Sequence, residues 1–169
     1  GAQAVLGEIV NATGQTAFLT VLRDDSAVCI DWVQGRGIGV LILKPGRALP
    51  LHAGAAGRSL LAYAADADAY LANAPFEPLT PSTLVTADAL RRDIATTLEQ
   101  GYTISDEDAT IGIGALGMPI LDAEGRAVAC VSMGGLAGEV TEKREQYLDV
   151  LRTAADALSQ RVPADAPHG

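Results

Sequence analysis

The sequence predicts an α+β domain built on an antiparallel sheet of about six strands flanked by helices. Three observations predict it. Pairs of β-rich runs joined by short polar turns lie in both halves of the chain. Helical periodicity is confined to the segments between those pairs and after the last one. Finally, 49% of the 169 residues are hydrophobic, enough for a sizeable core in one domain. Hairpins imply antiparallel pairing, so a doubly wound parallel sheet is not expected, and no internal repeat is present.

Taken in order, AVLGEIV (4–10) reads as one or two turns of helix, the end of something longer. TAFLTVLRDDSAVCIDWVQ (16–34) gives two strands around Arg23-Asp24-Asp25-Ser26, a hairpin signature. IGVLILK (38–44) reads as a third strand. In LPLHAGAAGRSLLAY (49–63) a loop passes into a helix at about Ala53, with Ala56, Leu60, Leu61 and Ala64 on its inner side. A short helix is expected over Asp66–Asn73. A longer one has Thr86 as N-cap, Gly101 as stop and Leu90, Ile94 and Leu98 as its buried stripe. Strands follow at 102–105, 112–121 and 126–133, the last two joined by DAEG. A final helix is expected from a Thr141 cap, carrying Tyr147, Leu148, Leu151, Ala154, Ala155, Leu158 and Val162. The tail at 163–169 is polar and proline-rich, and is expected to be disordered.

Charge narrows the function classes. Twelve basic against 21 acidic residues give a net charge of −9, and no basic cluster exceeds Arg91-Arg92. A duplex-binding surface needs several Lys or Arg on one face, which this chain does not offer; if the protein acts on DNA, the part that reads it lies outside this chain. No apolar run reaches the roughly 20 residues of a membrane helix, and no signal peptide opens the sequence, so a cytoplasmic protein is expected. Cys29 and Cys130 sit in apolar strand-like runs and read as buried free thiols.

Three motifs each carry a functional and a structural reading. GIGALG (112–117) matches the dinucleotide fingerprint in letters, but Pro119 and a β-rich run follow where a helix must open. GAAGRS (54–59) resembles a P-loop ending, yet His52 stands at the first glycine position and Arg58 replaces the lysine. What remains is a helix start of small residues with open backbone N–H groups, where an anion can bind or the helix can pack closely on a sheet. SDEDAT (105–110) reads as a solvated turn, since adjacent acids on a strand cannot converge on one metal. Arg58, one turn into the helix, is expected to pair with Glu107 or Asp108. Ser59 lacks a nucleophile elbow, and His52 reads as a helix-entry residue bonded to backbone. No catalytic residue, metal site or cofactor is predicted.

LPLHAGAAGRSLLA, TPSTLVTADALRRDIATTLEQGYTISDEDATIGI, MPILDAEGRAVACVSMGG and VTEKR occur in an order and spacing that resemble the C-terminal effector domain of IclR-type bacterial transcription regulators. TAFLTVLRDDSAVCIDWVQG resembles that domain's opening hairpin. The resemblance implies a GAF-like fold with a small-molecule pocket, and a separate N-terminal winged helix-turn-helix that binds operator DNA. Residues 1–10 would then end a linker helix and 11–162 form the effector-binding domain. It also implies self-association into dimers or tetramers.

Carried over residue by residue, the resemblance places an effector against the backbone of Ala55 and Ala56. The apolar walls fall on Ile38, Leu41, Leu49 and Ile113, and the sheet positions on Ser105, Ala115, Ser132 and Gly134. Strand periodicity independently puts Ile113 with Ala115, and Ser132 with Gly134. Where small-acid binders carry a carboxylate, a cysteine and a second serine, this chain has Ser105, Ala115 and Gly134. The usual Gly-Pro is Gly135-Leu136, and Glu139 replaces a basic residue. An aromatic or medium-sized organic carboxylate is therefore the expected effector. A thiol-dependent enzyme on the same scaffold and a pure oligomerisation module are the alternatives.

Overall fold

The computed structural model describes residues 1–36 and 46–160. Among them, six strands form one antiparallel sheet with six helices on its faces. Helix α1 (Ala2–Thr13) leads into the hairpin β1 (Thr16–Arg23) and β2 (Ser26–Val33). Then come β3 (Ala48–Pro50), α2 (Ala55–Ala62), α3 (Ala67–Leu71) and α4 (Ala87–Gln100). The second half holds β4 (Thr103–Asp106), β5 (Ile113–Leu121), β6 (Ala127–Leu136), α5 (Ala137–Glu142) and α6 (Arg144–Ser159). The strand order is β3-β2-β1-β6-β5-β4, so the two halves of the chain meet at the β1–β6 pair.

Alternation along the central strands separates two environments. Leu116, Met118, Ile120, Val131 and Met133 face α1 and α6, where Leu6, Ile9, Tyr147, Leu148 and Leu151 complete the larger core. The intervening residues face α2 and α4. A register shift between Ile120 and Leu121 skips Val128, so Ala127 joins the α2 side although Ala129 lies on the α6 side.

Several sequence expectations need correction. The opening helix runs three turns rather than one or two, to Thr13, and Gly14 ends it in the left-handed region. The strand expected over 38–44 lies outside the described residues, as do Val162 and the tail. The described third strand is Ala48–Pro50, read from sequence as loop: it pairs with the end of β2 at the sheet edge, where proline is tolerated. The last helix is broken at Lys143, and Thr141 lies inside α5 instead of capping α6. Thr86 does cap α4 and Gly101 ends it, but Leu98 is 51% exposed while Thr97 is buried beside Thr103. The helix is therefore rotated slightly from its apolar stripe.

Candidate functional site

Helix α2 is buried along its whole length, and its start is made of side chains too small to fill the space before them. Gly54 precedes it with φ 83°, a backbone conformation that glycine adopts without strain, and supplies no side-chain cap. A Cβ on Gly117 would stand 3.1 Å from Ala55 O, so the absence of a side chain there lets the helix start rest on β5. The amides of Ala55 and Ala56, in the first turn, have no intrahelical acceptor by geometry and no side-chain cap.

In front of this helix start lies a mostly apolar cavity of ≈ 90 Å³. Its floor draws on two cross-strand rows of the sheet: Ser105, Ala115 and Gly134 in one, Ser132 and Phe18 in the next. Leu49, Pro50, Leu79 and Ile113 contribute walls. Of the ten residues expected from sequence, Leu49, Ala55, Ala56, Ser105, Ile113, Ala115, Ser132 and Gly134 all line this one cavity, and Ile38 and Leu41 lie outside the described residues. Phe18, Leu79, Ala109 and Thr110 line it as well and were missed. Their signal was available only weakly: Phe18 shares a strand face with no other singled-out residue, and the rest belong to loops.

The helix start is held by a buried ion network. Arg58 Nε donates to Asp108 Oδ2 at 3.0 Å and Nη1 to Asp93 Oδ1 at 2.6 Å, while Nη2 donates to the Ile104 carbonyl. Asp108 Oδ2 also accepts the Gly54 amide at 3.0 Å, and Oδ1 accepts the Ser105 hydroxyl. The expected pairing of Arg58 with the acidic loop is thus made by Asp108. Asp93, on α4, was not anticipated.

The solvated-turn reading of SDEDAT is wrong for Asp108, which is 4% exposed. Two threonines bind that loop from the other side. Thr80 Oγ1 donates to Glu107 O at 2.7 Å and Thr83 Oγ1 to Asp108 O at 2.6 Å. Backbone carbonyls satisfied this way can be buried, so the loop forms a fixed wall. TPST in the sequence was the available signal for it.

Other candidates fall into supporting roles. His52 stacks on Phe76 with centroids 4.9 Å apart, and its Nε2 donates to Glu77 O at 2.8 Å. Cys29 and Cys130 are free and buried, and desolvation pushes their thiols up to about 11 and about 12. Among the described residues no group of three or more His, Cys, Asp or Glu could hold a metal ion, and no helix is long and apolar enough to cross a membrane.

A curved antiparallel sheet with a small-molecule-sized cavity between its floor and an open helix start defines a GAF-like effector-binding domain. The family model described as the C-terminal domain of the bacterial transcriptional regulator IclR matches residues 1–160. The chain belongs to that family. It is 32% identical to the HTH-type transcriptional regulator XynR of Escherichia coli K12 over 94% of its own length and 64% of XynR's, so it spans less than two thirds of that relative. The crystal structure of Thermotoga maritima IclR superposes with a TM-score of 0.89 at 32% identity, over 95% of this chain and 66% of that one. The C-terminal domain of the E. coli regulator KdgR superposes with a TM-score of 0.81 at 26% identity, over 94% of both chains.

Proposed function

We propose that this domain senses a small organic carboxylate with an aromatic or medium-length aliphatic body. Occupancy of the cavity then controls operator binding by a DNA-reading domain outside this chain. The observation that carries the reading is the buried, uncapped start of α2, opening onto an apolar cavity whose floor holds the Ser132 hydroxyl. Backbone amides at a helix N-terminus are matched to a carboxylate, and charge-assisted hydrogen bonds contribute about 1.5–3 kcal/mol each. The floor and walls reward an apolar body at about 25 cal/mol per Å² buried. Pyruvate and glyoxylate carry little apolar surface beyond the acid group, so they gain less from the apolar lining than a larger body does.

The relatives' names, transcriptional regulator for XynR and transcriptional repressor for AllR, support a regulatory role. A thiol-dependent enzyme would need a thiolate near neutral pH, and burial pushes both thiols the other way. The residues that resemble the family's also support a domain that pairs with copies of itself. Sedimentation at ~100 µM, suited to micromolar affinity, is expected to show a dimer or tetramer in place of a 17.4 kDa monomer. Calorimetry across a matched series of acids tests the ligand: benzoate and medium aliphatic acids should bind more tightly than pyruvate and glyoxylate. Tightest binding by the smallest acids would overturn this placement.

A further inference from the structure

The hydrogen bonds of Ser105 constrain the ligand further than size and charge do. A serine hydroxyl has one proton to give and two lone pairs. A carboxylate in an ion pair only accepts, so the proton between Ser105 Oγ and Asp108 Oδ1 belongs to serine. Asp108 is itself fixed by Arg58 and by the Gly54 amide, both on its other oxygen, which keeps Oδ1 turned to Ser105. Ser105 is 4% exposed and lines the cavity. Its proton faces the ion network, so it shows the cavity only lone pairs. Ser132 differs: it is 3% exposed, lines the same floor, and its hydroxyl has no hydrogen-bond partner among the described residues, so it can serve in either direction.

Resting on the proposed carboxylate reading, we infer that Ser105 is a specificity-determining acceptor and that the ligand carries a hydroxyl or N–H donor beside its acid group. The two ends of the cavity are then complementary. Main-chain amides at Ala55 and Ala56 donate to the carboxylate, and Ser105 accepts from the body. Both ends are fixed by one side chain, because Asp108 binds Gly54 N–H with one oxygen and Ser105 with the other. An ether at the donor position would set lone pairs against lone pairs, and a bare C–H would leave the Ser105 oxygen dry and unpaired. A buried site made to accept a hydrogen bond rejects the analogue that lacks it.

The test is calorimetry on this chain with benzoate and the 2-, 3- and 4-hydroxy- and methoxybenzoates. One hydroxy isomer is expected to bind at least about tenfold more tightly than its methoxy counterpart and than benzoate. Ser105→Ala should remove that preference, bringing the hydroxy, methoxy and unsubstituted acids to equal affinity, while a urea melt reports that the variant is folded. Equal affinity for hydroxy, methoxy and unsubstituted acids in the wild-type protein overturns the role of Ser105 but leaves the carboxylate reading standing. A hydroxy preference that survives in Ser105→Ala overturns it as well. No binding by any acid, with other molecules of similar size binding, overturns both.

Discussion

The two faces of the sheet are made by alternate residues of the same strands, yet they follow opposite rules. Toward α1 and α6 the side chains are large and aliphatic and fill their space: Leu116, Met118, Val131 and Met133 against Leu6, Ile9, Leu148 and Leu151. Toward α2 the same strands present Ala115, Gly117, Ser132 and Gly134, and the helix facing them begins with two alanines and a glycine. The larger face holds the fold through area removed from water. The smaller face leaves volume unfilled before the start of α2, where buried charge joins the apolar contacts of Leu60, Leu61 and Leu90 in holding the helix. Stability and binding are therefore separable by face, with Arg58 as the point where they meet.

Arg58→Ala should have the largest effect. It leaves Asp108 buried and Asp93 half-buried without their cation, at a cost of about 3–5 kcal/mol, and frees Asp108, the shared partner of Ser105 and Gly54, to move. A urea melt reads the stability loss and calorimetry the loss of binding; full stability would mean the network is not what holds α2. Leu151→Ala, on the other face, should cost about 2–5 kcal/mol and leave acid affinity unchanged once the protein is folded. Impaired binding in a folded Leu151→Ala protein would break the separation of faces.

Gly134→Phe should do the reverse. A Cβ there meets Ala115 Cβ at an ordinary 3.6 Å and the Gly114 carbonyl at 3.3 Å, which must give by a few tenths of an ångström, and the ring then fills the cavity. Binding should vanish while the melting temperature changes by no more than a few degrees. Ala55→Pro is milder. Proline suits the first helical position, so the fold should persist while one amide is lost and carboxylate affinity falls by about 3- to 30-fold. The smallest expected effect concerns the thiols. Their folded pKa values lie above the ordinary 9.0, so above that pH the unfolded chain holds fewer protons than the folded one. Stability should therefore decline as pH rises from about 9 toward 11–12, and at pH 8 both thiols should resist a water-soluble thiol reagent until the protein is unfolded. Rapid labelling of Cys29 in the native state would contradict its burial.

Much of this arrangement was legible in the sequence because it depends on local rules. The Arg23–Ser26 turn, the Thr86 cap, the Gly101 stop and the small residues from Gly54 to Gly57 each act within a few positions of themselves. What escaped depends on partners far along the chain. The pairing of Arg58 with Asp108 was among those expected, but the burial of Asp108 and the second carboxylate, Asp93, 35 residues from Arg58 on α4, were not. Leu98 reads as core by period, but α4 buries Thr97 against Thr103 instead, satisfying a hydroxyl pair inside. The break at Lys143 left no mark in the periodicity. Tyr147 is drawn inward, its hydroxyl meeting Gln15 and Glu139, and the backbone turn that begins α6 precedes it.

The contact of α2 with β5 through Gly117 has a consequence for how such a cavity diversifies. Because main chain rests against the sheet there, and Gly57 comes as near to Pro50 O on the helix's other side, the headroom above the floor is a property of the backbone. Repacking of side chains cannot raise or lower it. Positions 115 and 134 stand beside that contact and outside the ion network, so they can change identity with the ceiling unmoved. A fixed gap over an exchangeable floor separates the height of such a cavity from its chemistry, so new specificities on this scaffold need alter only the tiles beneath.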